Sequence, residues 1–259
     1  MLKKKAVIII FVCSSILSVG LFLFFWHQKE SKKVTFKSDA YFEITSPPVR
    51  LYYRNLEESS QDLGLIELDY HLDQDKIVYE LFYQWQDETK EIHFINTGEL
   101  ISTKVFRQSQ PDYLFSIDYQ AEPIVYYHNN PERGYELKKE HQPSLGWLAD
   151  SYSYDFIFIG FDFQREDAFR FAMIAGWGGE RLEGNKVTMQ VRNIGVETKQ
   201  TPLGEIDCYT LEFKPTGLFT VIPGSTYRYW YAIEPPHYLV ETDADGWRIQ
   251  LVQIEDLAN

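Results

Sequence analysis

Residues 76 to 86 read KIVYELFYQWQ, and their alternation decides the fold. Ile77, Tyr79, Leu81, Tyr83 and Trp85 fall on one side of an extended chain. Lys76, Glu80, Gln84 and Gln86 fall on the other, with Val78 and Phe82 among them. A strand points successive side chains to opposite faces, so such a segment covers a core on one side and meets water on the other. Val187, Met189 and Val191 alternate with Lys186, Thr188, Gln190 and Arg192 in the same way. Further candidate strands cover residues 49–56, 64–72, 91–95, 99–107, 112–119, 123–128, 154–163, 168–175, 205–214, 226–233, 237–242 and 247–255. Turn signals separate many of them: Asn96-Thr97-Gly98, Asn129-Asn130-Pro131, Glu183-Gly184-Asn185, Thr201-Pro202-Leu203-Gly204 and Asp243-Ala244-Asp245-Gly246. Short strands at this spacing predict an all-β, antiparallel, barrel-like sheet, open or closed, with closure removing the edges that invite aggregation. The 18 Tyr, 18 Phe and 6 Trp agree, because aromatic side chains favour pleated, half-buried surfaces. Helix is scarce. Residues 164–175 could start one with Glu166 and Asp167, but Phe169, Phe171 and Met173 alternate with Arg170 and Ala172, which favours strand.

Ahead of this sheet lies AVIIIFVCSSILSVGLFLFFW, residues 6 to 26, with no charge in it. A helix of that length, at about 1.5 Å per residue, crosses the hydrocarbon core of a bilayer. Lys3, Lys4 and Lys5 precede it, and Lys29, Lys32 and Lys33 follow. The free amino terminus and Glu30 tip the balance toward an amino end in the cytoplasm, which puts residues 34–259 outside it. A cleavable signal is the competing reading, with Ser18-Val19-Gly20 as its site. Cutting there leaves LFLFFW at the mature end, an awkward start for a soluble protein, so an uncleaved anchor is preferred. Cys13 follows Val12 rather than a small residue, which argues against lipidation. Residues 1–33 therefore read as a transmembrane anchor with a short polar stalk over 27–33, and residues 34–259 as one extracytoplasmic domain. Its softest internal boundary is 140–150, with Pro143 and Gly146.

The net charge of −13 excludes nucleic acid as a partner, because phosphate binding needs a basic surface. It also argues against the domain lying flat on anionic lipid. Of the two cysteines, Cys13 lies in the apolar run and leaves Cys208 without an intrachain partner, so stability must come from packing. Cys208 reads as a small buried hydrophobe rather than a nucleophile.

From residue 146 the chain reads GWLADSYSYDFIFIGF, then VETKQTPLGEIDCYTLEFKP from 196, then YRYWYAIEPPHYLVETDADGWRIQLVQIE from 227. This order resembles the exported bacterial proteins of the DUF3108 type, with Thr201, Pro202, Gly204, Trp230, Pro236 and Gly246 at the matching turn and strand positions. The resemblance covers about residues 145–255. It implies a cell-envelope β-barrel similar in general shape to the lipoprotein carriers LolA and LolB, which hold acyl chains in an open barrel. It implies no catalytic residues. The turns suit this shape on their own terms: proline presets one dihedral and glycine accepts a positive φ.

Several clusters invite a functional reading. Asp69, His71, Asp73 and Asp75 alternate and share one face of a strand; a divalent cation is conceivable there, but a solvated face running into an acidic turn is the preferred reading. Asp243 and Asp245 before Gly246 read as a hairpin turn rather than a calcium loop. Glu234, His237, Asp207 and His93 have no nucleophile beside them in sequence and carry no catalytic expectation. Tyr227, Tyr229 and Tyr231 line one face of a strand, with Arg228 and Trp230 on the other. Trp177 sits in Gly176-Trp177-Gly178-Gly179, where glycines free a large aromatic. Trp177, Tyr229 and Tyr231 are thus the candidate ligand-binding residues; no catalytic residue, metal or cofactor is expected. The composite expectation is a bacterial membrane protein, anchored through residues 6–26, that binds an apolar or lipidic ligand in its barrel without catalysis. The alternative is a structural or protein-interaction module of the envelope with a filled barrel. An apolar cavity of roughly 300 Å³ or more favours the first.

Overall fold

The alternation in residues 76–85 becomes a strand whose Tyr79, Leu81, Tyr83 and Trp85 are buried while Lys76, Glu80 and Phe82 are exposed. The structure, a computed structural model, describes residues 32–33, 47–57, 63–73, 76–95, 97–143, 148–159, 161, 163, 168–176, 183–216, 226–244 and 247–257. Its elements are β1 (Lys32–Lys33), β2 (Val49–Asn55), β3 (Leu63–Asp73), β4 (Lys76–Trp85), β5 (Glu88–Ile95), β6 (Leu100–Arg107), β7 (Gln110–Asp118) and β8 (Ile124–Asn130). They continue with β9 (Tyr135–His141), β10 (Leu148–Asp150), a one-turn helix α1 (Tyr154–Ile157), β11 (Ala168–Ile174) and β12 (Lys186–Thr201). β13 (Gly204–Pro215), β14 (Tyr227–Ala232), β15 (Leu239–Ala244) and β16 (Trp247–Asp256) complete the order.

All the described strands belong to one sheet. Its order is β1, then β11 to β16, then β2 to β9, with β10 also beside β11. Every pairing is antiparallel except those of β1 and β10 with β11. Two meanders are joined where β16 lies against β2, pairing Ile249 with Asn55 and Asp256 with Val49. Among the described residues the ladder does not close, since β9 has no backbone pairing there with β1 or β10. Side chains nevertheless bridge the two ends. Thr103 and Tyr119 each donate to the Asp150 carboxylate at 2.8 Å. The Lys186 ammonium donates to the carbonyl of Gln142 at 2.8 Å, and the Lys139 ammonium to that of Glu183 at 2.5 Å. The Glu183 carboxylate, buried, also meets the Tyr126 and Tyr135 hydroxyls and His128 Nδ1. The sheet is therefore a curled, open barrel with a seam of side-chain hydrogen bonds. β9, at the open edge, carries Glu136, Lys138, Lys139 and Glu140, the kind of charged edge that resists strand addition.

One main core fills the curl, with residues from Val49 in β2 to Leu251 in β16, on both sides of residues 140–150. The expected strand at 154–163 is not one. That segment forms α1 and then successive tight turns, with Phe156 N–H bonded to Ser153 O, Ile159 N–H to Phe156 O and Phe161 N–H to Phe158 O. The physical reason lies in its composition. Tyr154, Phe156, Phe158, Ile159, Phe161 and Phe163 are all buried and Asp155 is half-buried, so the segment lacks the regular alternation of wet and dry faces of a sheet strand, and Phe161 makes only an isolated bridge. Local turns satisfy the donors instead. Phe158 packs on Phe171 of β11 at 5.7 Å and on Phe213 of β13 at 5.3 Å, ring centroid to centroid. Phe163 reaches Tyr231 of β14 at 5.3 Å, and Phe156 reaches Tyr83 of β4 at 5.7 Å.

β11 is a strand, as its alternation indicated, and β12 runs on to Thr201 through a bulge between Asn193 and Gly195. Gly195 has φ 139°, a conformation that a side chain resists. Beyond the bulge the hairpin leans over the outer face, where Lys199 pairs with Glu241 at 2.8 Å and covers the Trp230 ring at 3.7 Å. This explains why Trp230 is buried although it faces away from the core. Lys32–Lys33, the end of the expected stalk over 27–33, pairs with Phe169 and Arg170 of β11, and the rest of that stretch lies outside the described residues. β9, whose charged sequence hid it, is an added strand. The expected anchor at residues 6–26 lies outside the described residues, among which no helix is long and apolar enough to cross a membrane.

Candidate functional site

Where β4 turns into β5, Gln86 takes a positive φ of 53° and Asp87 follows. The Asp87 carbonyl accepts the Gln108 N–H at 2.8 Å, and its carboxylate takes the Ser109 hydroxyl, which ties this turn to the β6–β7 turn. Between the two turns and α1 opens a cleft of about 350 Å³ at one mouth of the barrel. Asp87, Glu88, Lys90, Arg107 and Asp155 line it, over Tyr83, Trp85 and Phe156. The aromatic rings are themselves buried, so the walls offered to a ligand are mainly polar.

Asp155 is the unusual member. Burial pushes its carboxyl up to about 7; Lys90 opposes that shift, Asp150 adds to it, and the Tyr229 and Tyr154 hydroxyls oppose it. Its Oδ1 is shut off from solvent and accepts no hydrogen bond. The Tyr231 hydroxyl donates to the Asp155 carbonyl at 2.6 Å, and the Tyr154 and Tyr229 hydroxyls lie 2.6 Å apart. Lys90 places its ammonium 4.3 Å from the Tyr83 ring centroid and 3.5 Å from Glu88 Oε1. Arg107 lies 4.3 Å over the Tyr113 ring, 3.3 Å from Glu132 and 3.6 Å from Glu88. An ionisable group held away from its ordinary range in a cleft marks a candidate site. The arrangement can bind. Cys208 lies apart from the cleft, beside Trp230 and Val240, where burial pushes its thiol up to about 12.

Of the residues singled out from the sequence, Tyr229 and Tyr231 are buried one layer behind this cleft, where they support Asp155. Trp177 lies outside the described residues. Asp69, His71 and Asp73 are exposed along β3, with His71 Nδ1 3.5 Å from Glu80, and Asp75 lies outside the described residues. Among the described residues no three potential metal ligands converge. Asp207 is held by Thr198 at 2.6 Å, His237 Nδ1 meets the Ala232 carbonyl at 2.9 Å, Glu234 is exposed, and His93 sits on β5 opposite Ser102. Asp243 is exposed on β15, while Asp245 and Gly246 lie outside the described residues. Sequence reading missed Lys90, Arg107 and Asp155. The available signal was Asp155 itself, a lone acid inside YSYDFIFIGF.

No protein family matches the chain, the DUF3108 type included, and no curated protein does. The fold and cleft define a barrel-like, single-sheet protein with a plugged interior. Among solved structures it is similar to a β-barrel-like DUF1849 protein of Brucella abortus, at 10% identity and a TM-score of 0.46 over 84% of this chain and 100% of that one. It is also similar to a protein with a YmcC-like fold from Bacteroides fragilis, at 9% identity and a TM-score of 0.28 over 83% and 99%.

Proposed function

We propose that this is a non-catalytic module of the bacterial cell envelope, tethered to the membrane by residues 6–26, whose barrel works through its exterior and its mouth. The observation that carries this reading is the filled interior. Phe156, Phe158, Phe161 and Phe163 are each no more than 2% exposed and occupy the space that an acyl chain would need. The described clefts lie at the rims instead, one of about 350 Å³ beside Asp155 and two of about 260 and 300 Å³ that share Glu99 and Gln120. This supports the interaction module over an apolar ligand held among Tyr229 and Tyr231.

The tether gives the module a direction. β1 runs parallel to β11, so the chain enters the sheet from the end at which β11 starts. Strand directions put the β4–β5 and β6–β7 turns, and hence the Asp155 cleft, at the opposite end. Residues 27–31 separate the anchor from β1, a reach of at most ~20 Å at about 3.5 Å per residue. The cleft then faces away from the bilayer, toward extracytoplasmic partners. Native mass spectrometry of the full chain, purified from its own host's membranes, tests the reading. A stoichiometric protein partner without a bound lipid is the expected result; an apolar molecule that survives transfer at one per chain would overturn it.

A further inference from the structure

In the mouth cleft the Asp155 carboxylate feels Lys90 and meets the Tyr229 and Tyr154 hydroxyls, but its Oδ1 accepts no hydrogen bond. The two resident cations of the cleft are also held by other partners. Lys90 stands between Glu88 and the Tyr83 ring, and Arg107 is shared by Glu88, Glu132 and the Tyr113 ring. Asp87 holds Ser109. Asp155 Oδ1 is left as a desolvated acceptor with nothing to accept, an arrangement that costs stability unless a ligand completes it. Charge decides what kind of ligand. Asp87, Glu88 and Asp155 against Lys90 and Arg107 leave the lining one negative charge in excess when all are ionised. The whole chain, at −13, draws cations toward it and repels anions. An acyl chain finds little apolar wall here, since Tyr83, Trp85 and Phe156 are covered by their own neighbours.

We propose that this cleft receives a cationic side chain, a lysine or arginine of a partner protein, whose charged head meets the Asp155 carboxylate. The proposal rests on the reading that the barrel works through its exterior, and it names the chemistry of the partner. The groups facing Asp155 are Lys90 from β5, Tyr83 from β4, Asp150 from β10, Tyr154 from α1, and Tyr229 and Tyr231 from β14. The four tyrosines are all pushed up by burial, which leaves Lys90 and Asp150 as the other ionisable groups beside Asp155. Binding a cation requires ionised Asp155, and its affinity must therefore fall with pH.

Calorimetric titration of the full chain in detergent micelles, with a blocked Gly-Lys-Gly peptide and the same peptide acetylated on its lysine, tests this. The charged peptide is expected to bind at least tenfold more tightly than the acetylated one. Its affinity is expected to drop about tenfold between pH 8 and pH 6, as a carboxyl near 7 takes up its proton. Asp155→Asn should weaken binding tenfold or more and flatten the pH profile. Equal affinity for the two peptides, a flat wild-type profile, or no binding by either peptide overturns the proposal. The wild-type profile decides even if the variant misfolds. A failure here beside a stoichiometric partner in native mass spectrometry sinks only this site, whereas a bound apolar ligand sinks the exterior reading as well.

Discussion

Replacing Asp155 by Asn should make the protein more stable, and only above acid pH. The carboxyl titrates at about 7 in the fold against 3.8 in a model peptide, because the native environment disfavours its charge. A raised acid binds its proton more tightly when folded. Its native site is fully tolerated below pH 3.8, loses stability as pH rises through 3.8 toward 7, and is flat above. About three units at 1.36 kcal/mol each set a ceiling of ~4 kcal/mol at pH 8. An amide of the same shape avoids that charge, so the variant should gain on the order of 2–4 kcal/mol at pH 8 and almost nothing at pH 4. Urea unfolding of wild type and variant in parallel from pH 4 to pH 8.5 measures it, and the difference cancels every other titrating group. A gain that stays constant with pH, or a loss at pH 8, would refute the claim that Asp155 is held ionised at a cost.

Other perturbations test other parts of the fold. A Cβ on Gly64 would come within 1.9 Å of Trp85 Cε3, so Gly64→Ala must displace a buried ring and should lower stability by about 1–3 kcal/mol in a thermal melt. Glu183→Ala strips the acceptor from Tyr126, His128 and Tyr135 at the seam. It should cost about 3 kcal/mol or more and speed amide exchange selectively in β8 and β9. Burial holds His128 below the usual 6.5, since protonation would add a donor at Nε2 with no acceptor. Stability from this group is present above 6.5 and lost as pH falls below it, and His128→Gln should blunt that loss in urea midpoints taken between pH 7 and 5. Phe158→Ala empties the centre of the barrel and should cost about 3–5 kcal/mol, with crystals of the variant taking up xenon where wild type does not.

The sheet was legible wherever one strand face met water, as in Lys76–Trp85, where polar residues break the apolar run at regular intervals. Residues 154–163 misled because a strand buried on both faces and an irregular segment with most of its side chains buried show the same dense aromatic pattern. β9 failed for the opposite reason: an edge strand crowded with charge, whose pattern does not call for a buried face. Tyr229 and Tyr231 were singled out for their shared face, and they do share it; that the face is sealed by Phe163 and Tyr154 depends on a segment about 70 residues away. Lys90, Arg107 and Asp155 come from three separate elements, and only the curl of the sheet brings them to one cleft.

The account stands on the barrel interior being filled by its own chain. A crystal structure of the protein grown with a saturating long-chain fatty acid tests this directly. The account predicts Phe156, Phe158, Phe161 and Phe163 in place against β4, β11, β13 and β14, with no acyl density between them. An acyl chain lying there, with residues 154–163 displaced, would contradict it.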